Sequence, residues 1–327
     1  MKKLMICVSE WLSKGEDVVI ALIISDSGST PRGAGAKMAV KKGGEFIGTI
    51  GGGAVEYRAQ QIAAVALENK KSQIESFTLS PNDKEDLGMI CGGDVTVFFQ
   101  YVSASDEKAK GLFAYGAELF EKNVDSWLMM DITDETGWRM EILTEEDKLK
   151  NLCGEKEREG RRYYTEHLTR AERVFVFGGG HISQELIPLL SHLSFNCVVF
   201  DNMPKFADKG LFPSAADVIL GDFDNIKEYA NITEKDYVVI VTRGHSHDFS
   251  VLAQALRRKP YYVGMIGSKK KNAAVFQKLR EQGFSQDEID RVHAPIGTAI
   301  KADTPAEIAV SIAGELIMTR AGSLATV

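Results

Sequence analysis

A chain of 327 residues is long enough for two domains, each able to bury a core of its own. Its formal net charge of −7 argues against a nucleic-acid partner, because a phosphate backbone would repel it. No apolar run reaches the ~20 residues needed to span a bilayer, so no membrane role is expected.

The chain opens with an amphipathic helix over residues 4–14, its apolar stretch too short for a signal peptide. Residues 18–24, Val-Val-Ile-Ala-Leu-Ile-Ile, form a continuous β-branched run that reads as a buried strand. Residues 25–36 are a loop dense in glycine and hydroxyls that carries Arg32. A hairpin over 37–40 and 45–50 leads into Gly51, Gly52 and Gly53, and then into a breaker-free helix at 54–67. Two glycine-rich loops in one domain point to an anion-accepting surface of backbone N–H groups and a guanidinium. Tight turns alone are the simpler reading, although three successive glycines add more unfolded-state entropy than a turn requires.

Cys91, Gly92 and Gly93 feed a strand that runs to Gln100. A thiol beside two glycines can act as a nucleophile or soft-metal ligand, and it can equally be a small buried hydrophobe. The other cysteines, Cys7, Cys153 and Cys197, lie far from it with no C-x-x-C pair, which fits a reducing cytoplasm. A helix is expected at 107–122 and a hairpin at 127–132 and 138–142. The charge-dense stretch 144–170 reads as a linker, separating an N-terminal domain (1–143) from a C-terminal one (171–327).

The C-terminal half begins Val-Phe-Val-Phe and turns at Gly178, Gly179 and Gly180 into a helix starting at His181. A second apolar strand ends in Asp201. This is the dinucleotide-fold arrangement, in which glycines shape the turn, the helix N-terminus faces an anion and the acid meets a ribose. Ser183 stands in place of the third glycine. Further strands at 216–220, 237–242 and 261–267 alternate with helical segments, which predicts a parallel, doubly wound sheet. The fold class is therefore α/β, an N-terminal α+β domain followed by a Rossmann-like domain. Ligands of such sheets bind beyond the carboxyl ends of the strands. That rim collects His181, the run Thr242-Arg-Gly-His-Ser-His-Asp248, Ser268 with Lys269 to Lys271, and His293. His245, His247 and Asp248 offer metal-ligand chemistry or, more simply, loop and phosphate contacts. Lys269 lies where a helix start and a positive charge act together on an anion. A capping box at Thr304 to Glu307 starts the last helix.

In order along both halves, Gly28-Ser-Thr-Pro-Arg-Gly33, Gly51-Gly-Gly-Ala-Val-Glu56, Met89-Ile-Cys-Gly-Gly93, Phe177-Gly-Gly-Gly-His181, the 242–248 run, Tyr262 to Lys271, His293-Ala-Pro-Ile-Gly297 and Asp303 to Ile312 carry a resemblance. The series resembles the xanthine dehydrogenase accessory factor family of the XdhC/CoxI type. The resemblance implies a factor that binds the molybdenum cofactor (molybdopterin), supports its sulfuration and helps insert it into a molybdenum hydroxylase apoenzyme. It further implies a sulfur-donating cysteine desulfurase as a partner, and a chemical role for Cys91. The alternatives are an NAD(P)-dependent oxidoreductase built on the glycine turn and Asp201, and a metal-dependent hydrolase built on His245, His247 and Asp248. For the apolar helices at 54–67 and 305–318, pairing in a homodimer and burial within one chain fit the pattern equally.

Overall fold

The computed structural model describes residues 1–78, 93–122, 124–133, 140–144, 154–170 and 172–325. The chain divides into two compact units, Met1–Arg170 and Ala171–Val327.

The N-terminal unit is built around strand β1 (Val18–Gly28), which pairs antiparallel with β2 (Lys37–Lys41) on one side and β5 (Gly93–Val102) on the other. With β3 (Phe46–Thr49) and β4 (Gln73–Thr78) they form a five-stranded sheet of order β3-β2-β1-β5-β4. Residues 18–24 of β1 are all buried because both faces of this sheet are covered. Helix α2 (Gly53–Asn69) covers one face through Val55, Ala59, Ala63 and Ala66. Helices α1 (Lys2–Ser13) and α3 (Glu107–Lys122) cover the other, where Met5, Val8, Leu12 and Phe113 meet Ile20, Leu22 and Phe98. Each fully buried side chain of this size contributes about 1.5–3 kcal/mol.

A second, four-stranded antiparallel sheet lies beyond α1 and α3, in the order β7-β6-β9-β8. Its strands are β6 (Ser126–Asp131), β7 (Met140–Thr144), β8 (Gly154–Arg158) and β9 (Arg161–Thr169). This corrects the expected linker: the described part of 144–170 is two paired strands, and the N-terminal unit runs on to Arg170. Several charges of that described part are paired. Lys37 bridges to Glu166, Arg161 to Asp131, and Arg162 to Glu155 at 2.6 Å, while Tyr164 and Leu168 turn into the core.

The C-terminal unit is a six-stranded parallel sheet of order β12-β11-β10-β13-β14-β15, doubly wound about β10. Its strands are β10 (Arg173–Phe177), β11 (Asn196–Asp201), β12 (Asp217–Leu220), β13 (Tyr237–Ile240), β14 (Tyr262–Met265) and the short β15 (Val292–His293). Alternate strand residues point to opposite faces. Helices α4 (His181–His192) and α8 (Pro305–Ala325) pack on Val174, Val176 and Val239. Helices α5 (His245–Arg258) and α6 (Lys269–Glu281) pack on Phe175, Phe177 and Ile240, and the short α7 (Gln286–Asp290) follows. The expected capping box is present: Thr304 Oγ1 accepts from Glu307 N at 3.3 Å, and Glu307 Oε2 accepts from Thr304 N at 3.0 Å. Among the described residues, no helix is long and apolar enough to cross a membrane.

His167 on β9 packs against Trp127 at 4.9 Å between ring centroids, and its Nδ1 is buried without a hydrogen-bond partner among the described residues. Burial, and then the nearby Arg170 charge, hold this imidazole down to about 4 from its ordinary 6.5. An unfolded chain takes up the proton below about pH 6.5, whereas the folded unit does so only below about pH 4. Stability is therefore whole above pH 6.5 and is lost as pH falls toward 4. Urea midpoints should drop between pH 7 and 4.5 in the native chain and drop less in His167→Gln. Equal drops would refute this role.

Candidate functional site

In the C-terminal unit the apolar run of β10 ends at Phe177, and the chain must reverse into α4 within three residues. Gly178 takes φ +108°, and a Cβ there would stand 2.5 Å from the Val241 carbonyl oxygen. A Cβ on Gly179 would run into the carbonyl of Phe206. At Gly180, the N-cap of α4, the space is open among the described residues. The close approach at Gly179 is thus made by the chain's own backbone, where a ligand phosphate was expected. Ser183, at the third glycine position, is fully buried, and its hydroxyl donates back to the Gly178 carbonyl. A serine here closes the turn that a glycine would merely tolerate.

Asp201 is 1% exposed. Its Oδ2 accepts from the Gly179 amide at 2.8 Å and its Oδ1 from the Met203 amide at 2.9 Å. Arg243 Nη2 lies 3.6 Å from Oδ1. The acid expected to meet a ribose instead braces the glycine turn from within. Both of its oxygens are thus already engaged by backbone amides.

The rest of the rim is placed as the parallel topology requires. His181 opens α4 after β10, His247 lies in the first turn of α5 after β13, and His293 ends β15. The side chain of His245 is outside the described residues. His247 packs on Phe223 at 5.2 Å between ring centroids. Asp248, expected as a metal ligand, is fully buried: its Oδ1 accepts from Thr242 Oγ1 at 2.6 Å and its Oδ2 pairs with Lys271. It therefore ties the start of α5 to the start of α6, and breaking such a buried pair costs about 3–5 kcal/mol. Among the described residues no group of three or more His, Cys, Asp or Glu gathers to hold a metal. Lys269 is exposed on the first turn of α6, while Lys271 turns inward.

His293 belongs to another cluster. Its Nδ1 pairs with Glu315 Oε1 at 2.5 Å, its ring packs on Tyr262 at 4.7 Å, and the Tyr262 hydroxyl donates to Glu315 at 3.1 Å. Burial raises the Glu315 carboxyl, but hydrogen bonds from His293 and the Gly297 amide outweigh it and leave the group below its usual range. Burial, followed by the Glu315 charge, raises the Tyr262 phenol. Burial likewise pushes the Cys197 thiol up to about 12, so that cysteine is an inert core residue.

In the N-terminal unit the second glycine-rich junction is also braced by an acid. Glu56, in the first turns of α2, accepts from Thr49 Oγ1, from the Ile50 amide at 3.2 Å and from the Gly52 amide at 3.3 Å. The turn itself uses φ of +136°, +73° and +60° at Gly51, Gly52 and Gly53. A Cβ on Gly51 would lie 3.3 Å from Pro31 Cβ and 3.9 Å from the Arg32 amide, whereas Gly52 and Gly53 face open space among the described residues. Gly93 is pressed against the same loop, where a Cβ would meet the Ser27 carbonyl at 2.5 Å and the Ser29 carbonyl at 2.9 Å. The structure thus brings the exposed Arg32 loop between the Gly51 turn and Gly93. Cys91 and Gly92 lie outside the described residues.

Arg243 lies three residues after β13, within the 242–248 run expected on the rim, but no role of its own was legible for it in the sequence. Phe206, which carries no signal of its own, escaped the sequence reading.

The family profile described as the XdhC Rossmann domain matches residues 174–316, and one described as the XdhC and CoxI family matches residues 11–78. The chain is 24% identical over 302 residues to Uncharacterized protein YqeB of Escherichia coli (strain K12), covering 92% of itself but only 43% of that relative. It is 23% identical over 320 residues to a probable xanthine dehydrogenase subunit of Bacillus subtilis (strain 168), covering 94% and 95% of the two chains. With Molybdenum cofactor insertion chaperone PaoD of Escherichia coli (strain K12) it shares 24% identity over 324 residues, 95% of this chain and 86% of that one. A crystal structure described as a xanthine dehydrogenase from Bacillus halodurans matches with a TM-score of 0.80 at 23% identity, covering 97% and 96% of the two chains, and shows a shared fold.

A paired substitution checks the reading of the glycine turn. Gly179→Ala should destabilise the chain by about 1–3 kcal/mol through the clash with Phe206. Gly180→Ala, with open space around it, should cost under about 1 kcal/mol. Urea unfolding measures both, and equal costs would contradict the self-packed turn.

Proposed function

This chain belongs to the XdhC and CoxI family, and from that premise we propose that it is an accessory factor of molybdenum-cofactor maturation. In this reading the cofactor is cargo. The chain holds it, supports its sulfuration by a sulfur-donating cysteine desulfurase, and delivers it to a molybdenum hydroxylase apoenzyme of the xanthine dehydrogenase kind. Work of this type suits the cytoplasm. The name of the insertion chaperone among the relatives supports the assignment, as does the relative named for xanthine dehydrogenase.

The observation that carries the proposal is the edge where the Arg32 loop packs between the Gly51 turn and Gly93. The cofactor offers a terminal phosphate, a dithiolene and an oxidised metal. We assign the phosphate to the open side of Gly52 and Gly53, where the first amides of the 17-residue helix α2 have no intrahelical partner and the helix dipole favours an anion. The Arg32 guanidinium would add a charge-assisted contact. Glu56 keeps the turn in shape by occupying the inner amides. Cys91, two residues before Gly93 in sequence, is the thiol assigned to the metal centre, since a thiolate is the soft ligand such a centre prefers.

The test uses the intact chain incubated with molybdopterin carrying molybdenum and then with a cofactor-free hydroxylase. Bound pterin is counted by fluorescence after oxidation, and hydroxylase activity is followed separately. The native chain should retain pterin and restore activity. Arg32→Ala should weaken retention about tenfold or more, the equivalent of one charged hydrogen bond, and Cys91→Ser should reduce transfer. Retention unchanged in both variants would count against this site, and no retention by the native chain would count against the function.

A further inference from the structure

A Rossmann unit seats a dinucleotide with two features: an open helix N-terminus for the pyrophosphate, and an accessible acid at the end of the second strand for the adenosine ribose. The first is present here, because Gly180 caps α4 without a side-chain partner and faces open space. The second is absent. Beyond Asp201 the chain folds back at once, the amides of Phe206 and Ala207 donating to the Met203 carbonyl at 2.9 and 3.0 Å. This turn sets the Phe206 carbonyl against Gly179. Arg243 then closes over it, its guanidinium 3.7 Å from the Phe206 ring centroid, with Nη2 2.9 Å from Met203 Sδ and 3.6 Å from Asp201.

We infer that residues 202–207 occupy the adenosine-ribose seat of this unit, held there by Asp201 and Arg243, and that the unit does not take NAD(P) in that seat. The two carboxylate oxygens that would bind a ribose diol are the two that hold Gly179 and Met203. Ribose can reach them only after the segment lifts, which breaks the Met203 hydrogen bond and unstacks Arg243. A seat open in about one molecule in a hundred would weaken binding about a hundredfold. The inference is independent of the cargo role proposed for the N-terminal unit.

Calorimetric titration of the intact chain with NAD+, NADH, NADP+, NADPH and ADP-ribose tests it. No ligand should saturate the native chain below about 1 mM. Phe206→Gly combined with Arg243→Ala should open the seat, so that ADP-ribose binds at least tenfold more tightly than to the native chain. Arg243→Ala alone, a change at a half-exposed side chain, should give a smaller gain in the same direction. Saturation of the native chain tighter than about 1 mM by any of the five would overturn the inference. So would a failure of the Arg243→Ala chain, folded by its melting transition, to gain any affinity for ADP-ribose.

Discussion

The carboxylate of Asp201 fixes the C-terminal unit's rim. It ends β11, reaches across to the Gly179 amide beyond β10, and holds the Met203 amide of its own following turn. A buried acid that accepts two backbone donors cannot move without stranding them, and an unsatisfied buried donor costs about 1–3 kcal/mol. The rest of the rim is arranged around that brace. Phe206 is delivered onto Gly179, Arg243 is drawn over Phe206, and Ser183 locks the turn from below. Neighbouring strands are joined in the same way, with Asp248 linking the end of β13 to the start of α6 through Thr242 and Lys271.

The N-terminal unit solves the same local problem with a different outcome. There too a glycine-rich strand-to-helix junction is held by an internal acid, Glu56, which takes the Ile50 and Gly52 amides. Among the described residues, however, no backbone segment closes on Gly52 or Gly53, and an exposed arginine loop stands beside Gly51. One junction is packed by its own chain at Gly178 and Gly179, and the other is open at Gly52 and Gly53 next to a cation. This contrast, rather than the glycine motifs, is what supports the proposed placement of the cargo on the N-terminal unit.

Much of the fold was legible in the sequence because its signals were local. The seven-residue apolar run of β1, the breaker-free α2, the alternating strands and helices after residue 171 and the Thr304 capping box each declare themselves within a few residues. Strands β8 and β9 did not, since both are charge-dense and the partners of two β9 charges lie far along the chain: Lys37 for Glu166 and Asp131 for Arg161. The site was legible in outline only. Asp201 and Asp248 were recognised as chemistry-bearing acids, yet sequence says nothing of which donors an acid will meet. Both proved to be internal braces, because Gly179, Met203, Thr242 and Lys271 reach them first. The proximity of Arg32 to Gly51 likewise depends on how β1 and β3 turn, and spacing alone does not report it.

The most direct measurement is amide hydrogen exchange on the intact chain, with and without bound molybdenum cofactor. The account predicts slower exchange on binding at Gly53, Ala54 and the Arg32 loop. Gly179 and Met203 should already be slow in the cofactor-free chain and stay unchanged. Protection gained at Gly179 to Ile182, with none at Gly53 and Ala54, would contradict it.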